Sequence, residues 1–288
     1  MAVRLPSRRA TGTAAIDAGA GFDAALLAAR LASLQGRGAQ AETELAELGA
    51  RASNDAERGA VTLARLDTAI FGVAHLEDAW RAAEEAETAI SDISNPEWRD
   101  EIAARRPWIL LLTQGPRAAA EAAQPILRWA KGRALVWACV AVGPSLGWLG
   151  RLDASLDVET RGHQACLALA DPPDWYAWHF VWQRCMTLAQ AGRSREAERL
   201  ATAGYQQALA DRSPEAQAWF AWSIAQTVGE RGHVRTAAQH AREALALLRQ
   251  MDRPFLVRGC LVNLALAVAL SGSASEAASL LAEQRQLC

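Results

Sequence analysis

Tryptophan, histidine and cysteine are the side chains with which this sequence could do chemistry or grip a partner, and it carries eleven, five and five of them. Five tryptophans gather in two stretches, Trp175, Trp178 and Trp182, then Trp219 and Trp222. Spacings of three and four bring the first three to one face of a helix. An indole offers a large flat apolar area and a π-face for cations at little entropy cost. One meaning of the cluster is an aromatic-lined concave groove for a peptide or a flat small molecule, with His179 and Arg184 of the same helix as its polar members. The competing meaning is structural. A stripe at helical spacing is more often a set of knobs packed between neighbouring hairpins, and His179 and Arg184 are then parts of a solvated helix face.

The histidines His75, His163, His179, His233 and His240 form no His-x-x-x-His or His-Glu-x-x-His arrangement of the kind that holds zinc on one helical face. Glu159 and His163 stand one turn apart and read as a surface ion pair. Cys139, Cys166, Cys185, Cys260 and Cys288 are scattered, odd in number and never set as Cys-x-x-Cys, so neither a disulfide framework nor a zinc site is indicated and a reducing cytoplasm is expected. No Gly-x-Ser-x-Gly elbow presents a nucleophile, and Glu84, Glu85 and Glu87 read as the wet side of a helix. The expectation is a protein with no catalytic residues, no metal ligands and no cofactor, and so not an enzyme.

The elements that must carry these residues are helices. Half of the 288 residues are apolar, dominated by Ala and Leu with few β-branched side chains, which favours helix in nearly every window. The formal charge is −2 with both signs interspersed, so no basic stripe offers the phosphate neutralisation that nucleic-acid binding needs. Lys131 is the single lysine, a bias towards Arg that reflects genome composition rather than recognition. Arg4, Arg8 and Arg9 are followed by Thr, Gly and Asp, not by the apolar run of a secretory signal. Ala134 to Gly150 is uncharged but contains Gly143, Pro144 and Gly147 and is shorter than the ~20 residues of a membrane span, so a buried helix is expected there. Pro144 should free a carbonyl one turn upstream and bend that helix, as a tolerated kink rather than a hinge.

A repeat organises the chain. A small residue is followed five positions later by another, in a polar turn between two apolar stretches: Gly36 and Ala41, Ala74 and Ala79, Gly115 and Ala120, Gly150 and Ser155, Gly192 and Ala197, Gly232 and Ala237, Gly272 and Ala277. Successive first members lie 38, 41, 35, 42, 40 and 40 residues apart. Pro96, Pro172, Pro214 and Pro254 each follow a first member by 22 residues, and Asn95, Asp171 and Ser213 precede three of them, the signature of an N-cap with proline at the first helical position. Each repeat is thus two helices joined at a turn where Gly can turn left-handed. Trp222, Ile224, Ala225 and Val228 before Gly232, and Ala237, Ala238, Ala241, Ala244, Leu245 and Leu248 after it, form apolar stripes at spacings of three and four. The small residue after the turn lets the two helices approach closely.

Gly followed five residues on by Ala, with Leu264, Ala265 and Val268 upstream of Gly272, resembles the tetratricopeptide repeat, and the likeness covers most of Phe22 to Gln286. The period is longer, around 40 against the family's 34, and the family's regular Tyr and Phe positions are missing. The resemblance implies an all-α fold, a right-handed superhelical solenoid of about seven antiparallel helix hairpins over residues 22–288, behind a flexible or partly helical segment at 1–21. The phrases LAQAGRSREAERL and ALSGSASEAASLLAE are similar to the solenoid region of large ATP-binding LuxR-type transcriptional regulators of bacteria. Such regulators carry a nucleotide-binding module and a helix-turn-helix on either side of the solenoid; neither a Gly-x-x-x-x-Gly-Lys-Ser/Thr loop nor a basic recognition helix occurs here.

That resemblance implies the sensing or interaction part of such a regulator, cytoplasmic, holding a protein or peptide, or a small-molecule inducer, with no direct contact to nucleic acid or membrane. The alternative is a stand-alone scaffold or adaptor unrelated to transcription. Because no polar capping helix covers the last apolar face, the expected setting is a piece of a larger protein, or one whose ends dock on a partner.

Overall fold

The computed structural model describes residues 21–35, 37–71, 76–91, 93–170, 176–251 and 254–287. Outside them lie residues 1–20 of the N-terminal segment and Gly36, Ala74, His75, Asp171, Pro172, Trp175 and Cys288. The fold is all-helical, a solenoid of the tetratricopeptide type, with fourteen helices and no strand among the described residues. In order they are α1 (Phe22–Leu34), α2 (Gly38–Arg51), α3 (Asp55–Phe71), α4 (Leu76–Ile90), α5 (Pro96–Thr113), α6 (Pro116–Trp129), α7 (Gly132–Trp148), α8 (Leu152–Leu167), α9 (Tyr176–Gln190), α10 (Ser194–Ala210), α11 (Pro214–Glu230), α12 (Val234–Gln250), α13 (Pro254–Leu270) and α14 (Ala274–Gln286). No described helix is long and apolar enough to cross a membrane. Two compact units divide the chain, Met1–Ala103 and Ala104–Cys288.

In the first unit α1 packs on α2 and α3, and α3 on α2 and α4. Leu26, Ala29, Leu45, Leu48, Val61 and Ala64 close this core. Arg65 of α3 reaches Glu42 on α2 through Nε at 2.8 Å and Glu85 on α4 at 2.5 Å. The Asp55 carboxylate accepts the backbone N–H of Ser94 at 2.8 Å and of Asn95 at 3.3 Å, capping the chain as it enters α5. The Ser94 hydroxyl and Arg58 join it, and these hydrogen bonds hold the Asp55 carboxyl far below its ordinary range.

In the second unit each helix from α6 to α14 packs on the next, and the first helices of successive hairpins also touch, α7 with α9, α9 with α11 and α11 with α13. Contacts between near neighbours along the chain are what a stack of hairpins requires. The turns show why glycine recurs. Gly192 and Gly232 have φ of 72° and 85°, a left-handed backbone that a side chain would strain. Each turn closes with two bonds to the preceding helix. Gly192 and Arg193 donate to Ala189 (2.8 Å) and Leu188 (2.9 Å); Gly232 and His233 donate to Gly229 (2.9 Å) and Val228 (3.0 Å). This pairing satisfies carbonyls that a helix end would otherwise leave bare.

Five residues after those glycines, Ala197 and Ala237 are buried, as are Ser155 and Ala277 in the neighbouring turns. Gly115 departs from the pattern. Pro116 occupies the first helical position of α6, so Gly115 is itself the N-cap. The helix starts one residue earlier, and Ala119 rather than Ala120 is the buried contact. The prolines mark helix starts as the spacing predicts, since α5, α11 and α13 open on Pro96, Pro214 and Pro254. Ser213 caps α11 by accepting the N–H of Ala216 at 3.4 Å, and the Asn95 side chain accepts that of Glu97 at 2.9 Å.

Candidate functional site

The first helices of the second unit bring four of the five tryptophans and His179 into one aromatic cluster. Trp182 of α9 meets Trp219 of α11 edge to face with ring centroids 4.2 Å apart. Trp178 lies 5.7 Å from Trp219, and Trp222 lies 6.3 Å from Trp182 and 6.0 Å from Trp219. His179 sits 5.3 Å from Trp182 and 5.5 Å from Trp219. Trp108 of α5, which sequence spacing does not connect to the others, adds its ring 6.4 Å from His179. These edge-to-face and tilted geometries are those that aromatic quadrupoles favour.

The members of the cluster differ in burial. Trp219 and His179 are buried, 9% and 3% exposed. Trp178, Trp182 and Trp222 are half-buried. The indole N–H groups of Trp182, Trp219 and Trp222 are shielded and have no acceptor among the described residues. Arg184 is not part of this group: its guanidinium donates to the Thr160 hydroxyl of α8 at 3.0 Å. Trp175 lies outside the described residues.

Burial drives the His179 imidazole down to about 3, so the ring is neutral wherever the protein is folded near neutral pH. The Gln183 amide lies 3.1 Å from His179 Nε2 and donates to the Val140 carbonyl at 2.8 Å. Because that amide nitrogen is a donor, His179 Nε2 is the acceptor and the ring proton sits on Nδ1. The Val140 carbonyl is the one that Pro144 deprives of its helical donor.

Beside this junction lies a buried polar group that the sequence spacing does not disclose. Glu159 is 1% exposed. Its Oε1 accepts the Thr187 hydroxyl at 2.6 Å and lies 3.1 Å from Ser155 Oγ, which also reaches the Gly143 carbonyl at 2.7 Å. The surface ion pair expected with His163 is not formed: Glu159 points into the core, and His163 stacks on Phe180 at 6.3 Å. Burial raises the Glu159 carboxyl to about 7 against the pull of Thr187, Ser155 and Arg184. A signal for this network is present in hindsight, since Ser155 alone puts a hydroxyl at the turn position that Ala fills elsewhere, opposite the helix broken by Pro144.

No group of three or more His, Cys, Asp or Glu side chains among the described residues could hold a metal ion. Cys139, Cys166, Cys185 and Cys260 are buried free thiols, and burial raises Cys139, Cys185 and Cys260 to about 12. Exposed arginines cluster at the turn into α10, where Arg193 pairs with Glu196 at 2.7 Å and Arg231 pairs with Glu198. Arg195 and Arg199 line the same shallow depression.

No family model matches the sequence, and no curated protein matches it. Solved structures are similar to it in fold. A Rap protein complexed with competence and sporulation factor aligns over 92% of this chain and 76% of its own, at a TM-score of 0.66 and 10% identity. The apo form of RapI aligns over the same shares at 0.54 and 12%. A signal transduction ATPase with numerous domains and a tetratricopeptide repeat sensor, from Pyrococcus horikoshii, aligns over 92% of this chain but only 41% of its own length, at 0.50 and 15%. At these identities the likeness is one of backbone architecture, the tetratricopeptide-type helical repeat.

Proposed function

We propose that this chain is a non-catalytic binding module, the sensing or interaction part of a bacterial LuxR-type transcriptional regulator, and that it takes a protein or peptide partner on the aromatic stripe of its first helices. The observation that carries this is the half-buried set Trp178, Trp182 and Trp222, packed against the buried Trp219 and His179. Large aromatic anchors on a stiff support are the residues that concentrate binding energy at interfaces. Support also comes from the shared architecture: one similar structure is a complex with competence and sporulation factor, and another is named for its repeat sensor. Against catalysis stand a neutral, enclosed His179 and a Glu159 shut away from solvent with its hydroxyl partners. The buried thiols suit a reducing cytoplasm.

The test is binding of peptides selected from a random library on the immobilised chain. Replacing Trp178→Ala and Trp222→Ala together should weaken the selected peptides about ten-fold or more, at least about 1.4 kcal/mol, without unfolding the protein. Peptides that bind the doubly substituted chain as well as the original would refute the stripe as the binding surface.

A further inference from the structure

The turn into α10 forms a shallow depression lined by four exposed arginines, Arg193, Arg195, Arg199 and Arg231, against a single carboxylate, Glu196. The acids around it are already engaged. Glu196 is held by Arg193 at 2.7 Å, Glu198 by Arg231, and Glu230 accepts the Ser194 hydroxyl at 3.1 Å. Arg195 and Arg199 are left with no ion-pair or hydrogen-bond partner among the described residues.

Both stand where local physics disfavours them. Arg195 lies in the first turn of α10, where the helix dipole repels a cation, and Arg199 follows it at the four-residue spacing that sets like charges side by side. The repeat does not demand them. At the same register one hairpin earlier, 42 residues before, stand the exposed Asp153 and Asp157, and one hairpin later, 40 residues on, stand Arg235 and Gln239. Nor does the preference for Arg over Lys demand them, since it adds no excess of cations to a chain of net charge −2. Residues that break a local rule with no compensating gain in the fold mark places kept for function.

We propose that this depression docks an extended, acidic segment of a partner protein, whose carboxylates pair with Arg195 and Arg199. The planar guanidinium fork takes a carboxylate through two parallel N–H···O bonds. Four residues of helix advance roughly 6 Å, and alternate side chains of an extended peptide lie about 6.7 Å apart on one face, so two carboxylates of such a segment match the two guanidiniums. Arg193 and Arg231 add positive charge beside them. A nucleic acid needs a longer row of cations. Beyond Arg199 the exposed positions of α10, Thr202, Ala203, Gln206 and Gln207, are uncharged. None of these residues belongs to the aromatic stripe, so the two surfaces can fail separately.

A short fluorescein-labelled peptide alternating glutamate and serine, titrated with the full chain at low salt and followed by fluorescence anisotropy, should bind, and more weakly as salt is raised. Arg195→Glu together with Arg199→Glu should weaken it about ten-fold or more. The melting temperature should hold or rise, because the first turn of α10 exchanges a cation for an acid. Arg117→Glu with Arg128→Glu, at exposed arginines of α6, makes the same change in net charge and should cost far less affinity. A peptide that fails to bind at low salt, or one weakened equally by both double variants, overturns the proposal. So does an oligothymidylate that binds more tightly than the peptide and is released by the Arg195 and Arg199 substitutions, which would make the depression a reader of phosphates.

Discussion

Glu159 is the side chain whose environment departs furthest from anything its neighbours in the sequence announce. Its carboxyl is lifted from an ordinary 4.5 to about 7, so the folded chain holds the proton more tightly than the unfolded one. The group therefore opposes folding increasingly as pH climbs from about 4.5 to about 7, and by a constant amount above that. Arg184 on α9 is the charge that faces it and offsets part of the cost. Glu159→Gln keeps the shape and the Ser155 and Thr187 partners without the charge. Relative to the original chain this variant should gain stability between about pH 5 and about pH 8, by on the order of 3 kcal/mol, in denaturant titrations. A difference that stays flat across the range contradicts a buried, titrating carboxyl. His179 acts with the opposite sign below its ordinary 6.5, but both proteins share it and it cancels in the comparison.

Other residue-level features were partly legible. Glycine at the turns declares itself by position. Glycine inside helices does not: Gly162 and Gly204 are seats for Phe180 and Phe220, where a Cβ would stand 2.5 Å from the ring. Those aromatic partners lie on the following helix, beyond the reach of any local pattern.

At the scale of elements, α7 shows how far punctuation can be read. Pro144 foretells a bare carbonyl one turn upstream, and the helix runs on from Gly132 to Trp148 as expected of a tolerated proline. What supplies the missing donor is Gln183, 43 residues away on α9, and nothing local to Pro144 points to it. Gln183→Leu should strand the Val140 carbonyl and cost about 1–3 kcal/mol. In a Pro144→Ala background a backbone N–H is restored to that carbonyl, so the same substitution should cost about 1 kcal/mol less. Strict additivity of the two changes in a double-mutant cycle would show that the amide is not replacing the lost helical bond. The capped starts of α5 and α11 were legible for the converse reason, because cap and proline are neighbours in sequence.

At the scale of the whole molecule, the repeat was readable because two physical demands, a left-handed turn and a close helix approach, fall five residues apart at Gly150, Gly192, Gly232 and Gly272. The exception at Gly115 shows the limit, since Pro116 moves the helix start by one residue and with it the buried alanine. The division into two compact units after Ala103 leaves no mark in the repeat, whose steps continue across it. Nor could spacing decide which tryptophans are core and which are open, because an inward stripe and a gripping stripe are equally apolar at the same period. The direct measurement is amide hydrogen exchange of the chain with and without a peptide selected from a random library on it. Slowed exchange concentrated in α9 and α11, around Trp178, Trp182 and Trp222, is the result expected of a module that grips its partner on that stripe. Bound peptide that leaves both helices unchanged and protects a different face would contradict it.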